Sequence, residues 1–248
     1  MGPTGYWRTG LAGCAALMAI PLAMAQQPLA PPLPPPRPDR LPPSVVSEPR
    51  SEKPLPNETV AARKSDPAKE RAEEACLDRL KQLGLKFERR PPVQENNCGI
   101  ENPVLVSGLP NGVGVSPASL MGCPAAEGIS RWLSEVVMPE AERQLQSVPT
   151  KLLIGTSYQC RDQRNGEKLS EHAFGNGLDI MGLEFAKRAP VTIGKHADNA
   201  PDAAFEMSIR KGACPIFNTV LGPGSDADHG DHLHLDLRQR KGDYRICQ

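Results

Sequence analysis

The chain is short of the residues from which many binding surfaces are built. Aromatics make up only 4% of its 248 residues, as two Trp, three Tyr and five Phe. That leaves no platform on which successive bases would stack. Neither sign of charge is in excess, because 29 Lys and Arg stand against 29 Asp and Glu. With no basic surplus to neutralise phosphates, nucleic acid is not an expected partner. No long amphipathic basic helix suggests a membrane-surface protein. No internal repeat recurs, and no C-x-x-C pair points to a redox motif or a cysteine-rich zinc knuckle. Histidine is scarce as well, with five in the chain.

Proline is plentiful, with 27 in the chain, and its placement divides the sequence. Residues 1–25 have the pattern of an export signal. Arg8 precedes an apolar run from Leu11 through Ile20 to Leu22, and Ala23-Met24-Ala25 supplies the small residues of a cleavage site. The run is too short, and too closely followed by proline, to leave a transmembrane helix in the mature chain. Leu11-Ala12-Gly13-Cys14 has the form of a lipid-attachment box, so a lipoprotein anchored through Cys14 is the alternative to a periplasmic or secreted protein. Residues 26–64 are the proline-rich segment. Repeated prolines fix φ and remove donors, so an extended, solvated linker is expected there. Its simplest role is a stiff spacer, and a protein partner that reads the proline-rich arm is the alternative. The folded domain is expected over residues 65–248.

Cleavage after Ala25 leaves six cysteines: Cys76, Cys98, Cys123, Cys160, Cys214 and Cys247. An even number in an exported chain implies as many as three disulfides, with fifteen pairings open. Ser65-Asp66-Pro67 reads as a helix start, Cys76, Leu80 and Leu83 share one helical face, and Gly84 closes the helix. Pro103–Leu109 and Val113–Val115 form a strand pair turned by Pro110-Asn111-Gly112. A second amphipathic helix runs through Ile129, Trp132, Leu133, Val136 and Leu145, interrupted or kinked at Pro139, with Trp132 in the core. Lys151–Tyr158, Gly177–Phe185 and His232–Leu237 read as strands, and Phe205 and Ile209 mark a short helix before Cys214. The fold class is α+β: a small, mainly antiparallel sheet flanked by helices and braced by disulfides.

Four of the five histidines fall in Ser170–Ile180 (SEHAFGNGLDI) and Asp228–Leu237 (DHGDHLHLDL). In the second stretch a period of two puts His232, His234 and Asp236 on one face and Leu233, Leu235 and Leu237 on the other. Asp179 lies between Leu178 and Ile180, where a carboxylate needs a partner and a cation is the natural one. Gly175 and Gly177 let the backbone turn closely enough for His172 and Asp179 to reach one point. Imidazoles with one carboxylate are the set a catalytic Zn²⁺ prefers, three protein ligands and one open position. His172, Asp179 and His234 are the candidate ligands. His196 has no partner pattern and reads as an ordinary satisfied residue.

SEHAFGNGLDI resembles the S-x-H-x-x-G-x-A-x-D element of the zinc D-alanyl-D-alanine carboxypeptidases. The later H-x-x-H-x-H resembles that of the penicillin-insensitive murein endopeptidases. Both belong to the superfamily that includes lysostaphin-type peptidases and the hedgehog signalling domain. From about Cys76 to Cys247 the chain is similar to the bacterial extensin-like C-terminal domain family. The residues that carry this similarity are Ser157-Tyr158-Gln159-Cys160-Arg161, SEHAFGNGLDI, and Val220-Leu221-Gly222-Pro223 leading into HGDHLHLDL. The resemblance implies a hedgehog or D-Ala-D-Ala-peptidase-like fold, with zinc held by His172, Asp179 and His234. It implies that His232 accepts a proton or supports an oxyanion, with His229 near it. Arg161 would hold a substrate carboxylate or the oxyanion, and Ser170 joins it in the expected substrate-binding set. Two departures stand out. Asp231 occupies the place of the carboxypeptidases' glutamate base, making it the alternative base. Gln159-Cys160 are also inserted between Tyr158 and Arg161. The expected function is an exported zinc-dependent peptidase acting on stem-peptide amide bonds of peptidoglycan. The alternative is a non-catalytic cell-wall binding or scaffolding domain that retains the metal site.

Overall fold

The computed structural model describes residues 67–164, 166, 168–197 and 199–248. The signal, lipid-attachment and proline-rich readings therefore lie outside the described residues. Helix α1 (Pro67–Gln82) opens on Pro67 and buries Cys76, Leu77 and Leu80. It ends as expected at Gly84, whose N–H bonds the Lys81 carbonyl while the Leu85 N–H bonds the Leu80 carbonyl. That pair of bonds, with Leu80 and Leu85 both buried, is the Schellman closure.

Three short strands follow: β1 (Lys86–Arg89), β2 (Val93–Glu95) and β3 (Cys98–Ile100). The anticipated strand pair is present as β4 (Pro103–Gly108) and β5 (Gly114–Gly122), turned at Pro110–Gly112. Strand β5 runs well past the expected Val115, however, and pairs with β4 mainly through Ser119–Gly122. Helix α2 (Cys123–Trp132) then runs through a π-helical turn, Leu133–Val137, into α3 (Met138–Leu145). Pro139 is in the first turn of α3. Proline lacks the N–H and its ring crowds the carbonyl four residues back, so a widened turn just before it relieves both problems. Trp132 is fully buried and donates its ring N–H to the Ile209 carbonyl at 2.8 Å.

The remaining elements are β6 (Pro149–Thr156), β7 (Gly177–Phe185), β8 (Val191–Thr192), α4 (Pro201–Ala213), β9 (Thr219–Leu221), β10 (Leu233–Asp236) and β11 (Ile246–Cys247). Nine strands make one sheet in the order β1-β4-β5-β6-β7-β10-β9-β11, with β8 also on β7, and β2–β3 form a separate pair. The sheet is mainly antiparallel, as expected, with parallel pairing at β5–β6 and β9–β11. It is larger than the small sheet anticipated, because β1, β8, β9 and β11 have two to four residues each and no readable alternation. Three disulfides brace it: Cys76–Cys123, Cys98–Cys160 and Cys214–Cys247, with Cα–Cα distances of 6.3, 5.5 and 5.9 Å. All are within the usual range. Among the described residues no helix is long and apolar enough to cross a membrane.

Strand β7 positions the site. It pairs with β6 on one edge, and with β10 and then β8 on the other. Leu178, Ile180, Leu233 and Leu235 are fully buried in the same core as Trp132 and Phe205 from the helices. Side chains alternate across a strand, so Asp179 and His234 point the opposite way.

Candidate metal centre

His234 stands directly opposite Asp179 in the antiparallel pairing of β10 and β7, a register that brings facing side chains within contact range. His172 comes from a 3-10 turn, Glu171–Phe174, just before β7. Ser170 caps that turn, its hydroxyl accepting the His172 N–H at 3.4 Å. Gly175 closes it at φ +65°, where a Cβ would meet Ile100 Cδ1 at 2.3 Å. A Cβ on Gly177 would be 3.1 Å from the His172 nitrogen. The two glycines thus do what the sequence suggested, one by conformation and one by close approach.

The three side chains converge on one point. His172 Nε2 is 3.1 Å from Asp179 Oδ1 and 3.2 Å from His234 Nδ1, and the third edge, His234 Nδ1 to Asp179 Oδ1, is 2.9 Å. Bonds of about 2.0–2.1 Å around a tetrahedral zinc would put ligand atoms about 3.3 Å apart. The triangle is therefore one face of such a tetrahedron, slightly contracted. His172, Asp179 and His234 are all buried, and they form the group among the described residues able to hold a metal ion.

Each imidazole is held by its other nitrogen. His172 Nδ1 donates to the Ser157 carbonyl at 2.7 Å, and His234 Nε2 bonds Asp236 Oδ2 at 3.1 Å. Asp236 is itself fixed by the Arg238 N–H at 2.9 Å. Outer partners of this kind select the tautomer that leaves the inner nitrogen free to ligate. The donor set and its orientation both fit zinc.

The electrostatics express the same crowding of polar groups. Burial alone would raise the Asp179 pKa, but the imidazoles of His172 and His234 facing it outweigh burial and hold the carboxyl well below the usual range. Burial opposes charge on His234, yet Asp179 and Asp236 on its two sides push its pKa up to about 9. Without a metal, the centre keeps a proton that a cation would displace.

His232 precedes β10 rather than lying in it. Its Nε2 is 3.7 Å from Asp179 Oδ1, and its Nδ1 bonds Asp231 Oδ1 at 2.9 Å. His229 is packed beside both, with ring centroids 5.1 Å from His232 and 5.7 Å from His234. Its Nδ1 bonds both Asp226 oxygens, at 2.7 and 2.8 Å. The structure thus brings together five of the sequence candidates: His172, Asp179, His234, His232 and His229. Arg161 is engaged elsewhere, its Nε donating to Gln159 Oε1 at 2.9 Å and its Nη1 to the Asp162 carbonyl at 3.4 Å. His196 is apart from the triad and is satisfied by Glu206 Oε2 at 2.8 Å.

Sequence reasoning missed the supports. Asp236 had a signal, its place on the His234 face of the strand. Asp226, three residues before His229, had a weaker one. Ser157 acts through a backbone carbonyl, which no side-chain identity reveals. A family model described as the extensin-like protein C-terminus matches residues 74–248. No curated protein and no solved structure matches the chain.

Proposed function

We propose that this chain, which belongs to the extensin-like protein C-terminal family, is an exported zinc-dependent peptidase acting on amide bonds in peptidoglycan stem peptides. The observation that carries the proposal is the ligand-atom triangle of His172, Asp179 and His234, with the outer nitrogen of each imidazole already committed. Zinc held by such a set supplies Lewis-acid activation of water and of the scissile carbonyl. His232 supplies the proton chemistry. Asp231 occupies its Nδ1, so Nε2 faces the centre to take a proton from the attacking water and pass it to the departing amine. His229, steadied by Asp226, lines the same space and supports developing charge. Arg161 and Ser170 are assigned to the substrate side, Arg161 for a carboxylate and Ser170 through the turn it caps.

The substrate class rests on the resemblance to wall-cutting zinc peptidases, on the export signature of residues 1–25, and on three disulfides suited to an oxidising compartment. The test combines metal analysis of the purified protein with incubation on intact sacculi and mass spectrometry of the released material. Bound zinc and soluble muropeptides are expected, and the masses identify the bond cut. Sedimentation with sacculi without release would replace the peptidase by a non-catalytic wall-binding domain.

A further inference from the structure

We propose that the Cys98–Cys160 disulfide is a positioning device for the metal centre. It holds Ser157–Arg161 against His172 and thereby determines which ring nitrogen of His172 faces Asp179 and His234. The consequence for metal affinity rests on the zinc reading above; the positioning of the ring does not.

His172 is carried by a single 3-10 turn, and one neighbouring segment wraps it. The Ser157 carbonyl accepts from His172 Nδ1 at 2.7 Å, the Gln159 N–H donates to the His172 carbonyl at 3.2 Å, and the Ser170 N–H donates to the Arg161 carbonyl at 3.1 Å. This segment lies past the end of β6, outside the main sheet, and its one strand-type contact is an isolated antiparallel bridge between Asp162 and Leu169. Residues 157–162 are exposed or half-buried, and a hydrogen bond there contributes only about 1 kcal/mol net.

The covalent anchor is Cys160, bridged to the buried Cys98 on β3. Strand β3 is also the wall on which the histidine turn leans, because Ile100 packs directly against Gly175. A second, weaker tie runs from the same segment to β2, the strand paired with β3, where Tyr158 Oη donates to Glu95 Oε2 at 3.5 Å. The bridge therefore fastens the orienting carbonyl and the ligand-bearing turn to one support. With it open, the Ser157 carbonyl is free to withdraw, and the imidazole loses the partner that reserves Nε2 for the metal. Loss of such an outer partner costs about 10- to 100-fold in metal affinity.

The experiment compares the full chain with Cys98→Ser/Cys160→Ser, using Cys76→Ser/Cys123→Ser, which opens the bridge joining α1 to α2, as the control. Zinc affinity is read by competition with a chromophoric chelator, and Co²⁺ absorption reports the ligand field. In metal-free protein, ¹⁵N NMR of the His172 ring reports the tautomer. The expected result is affinity lowered about 10- to 100-fold and a mixed tautomer in the Cys98/Cys160 variant only. Equal zinc affinity, or a ring still protonated purely on Nδ1, would overturn the positioning role. Wild-type protein that binds no zinc would overturn the metal reading, while the tautomer comparison still decides the inference. Should the double variant fail to fold, wild-type protein is exposed to a thiol reductant. Zinc release must then track alkylation of Cys98 and Cys160, and release that tracks Cys76 and Cys123 instead refutes the proposal.

Discussion

His172, Asp179 and His234 each offer one ligand atom to the proposed zinc centre, and a three-ligand site has no spare donor to lose. Replacing any of them with Ala should abolish stoichiometric zinc, as measured by elemental analysis. Full occupancy in Asp179→Ala would show the centre to be drawn wrongly. His196→Ala should leave zinc unchanged but lower stability by about 1–3 kcal/mol, because Glu206 is buried and keeps only the Gly194 N–H at 3.0 Å. His232 differs from the ligands in touching the centre without joining the triangle. His232→Ala should keep zinc and lose about 10²- to 10⁴-fold in turnover. Asp231 acts through His232, since its carboxylate is spent on that ring and its side chain is 79% exposed. Asp231→Ala should therefore lose less than His232→Ala and shift the pH profile of turnover. An inactive, zinc-replete Asp231→Ala beside an active His232→Ala would exchange the two roles.

The elements most legible in the sequence were those with a strong period or a sharp stop. Helix α1 announces itself by Pro67 and Gly84, and β7 by a largely apolar run, interrupted at Asp179 and Glu184, that is matched at both ends. The alternating leucines of β10 set His234 on the face opposite them, toward Asp179, although the strand is Leu233–Asp236 and His232 and Leu237 fall outside it. What stayed hidden depends on long-range pairing. Two-residue β8 and β11 exist only because β7 and β9 offer edges, and the register setting His234 opposite Asp179 is a tertiary fact. The disulfide pairing was likewise open until the fold brought the cysteines together. The histidine turn tests how tightly local structure and packing are joined. Gly175→Ala introduces both a left-handed alanine and a clash with Ile100. It should cost on the order of 2 kcal/mol or more in urea unfolding. In a double-mutant cycle that subtracts the cavity cost of Ile100→Ala, Gly175→Ala should cost less in the Ile100→Ala background, leaving the left-handed backbone and the approach of the Gly122 nitrogen at 2.9 Å. No recovery would mean that Ile100 is not the constraint.

For the molecule as a whole, the metal-free centre gives stability an unusual dependence on pH. His234 rises on folding from an ordinary 6.5 to about 9, so its contribution is full below pH 6.5 and lost as pH climbs through 9. Asp179 is depressed from 3.8, so its contribution is present above that value and lost in acid. Thermal melts of metal-free protein should therefore peak between about pH 4 and 6.5, and stability rising from pH 6.5 to 9 would contradict the pairing. Zinc should remove the alkaline decline, because it displaces the proton from His234. The division of the chain is tested differently. The family match begins at residue 74 and the described fold at Pro67, so protein lacking residues 26–64 should remain soluble and hold its zinc. Aggregation would mean that the proline-rich arm packs on the domain. Reduction should do what truncation does not. The three bridges close separations of 47, 62 and 33 residues, and each native bridge in a secreted domain contributes about 2–5 kcal/mol. Because the 62-residue loop carries the segment that orients His172, zinc should leave under reductant at concentrations where circular dichroism still reports a folded sheet. Zinc loss coincident with unfolding would confine the bridges to a purely structural part.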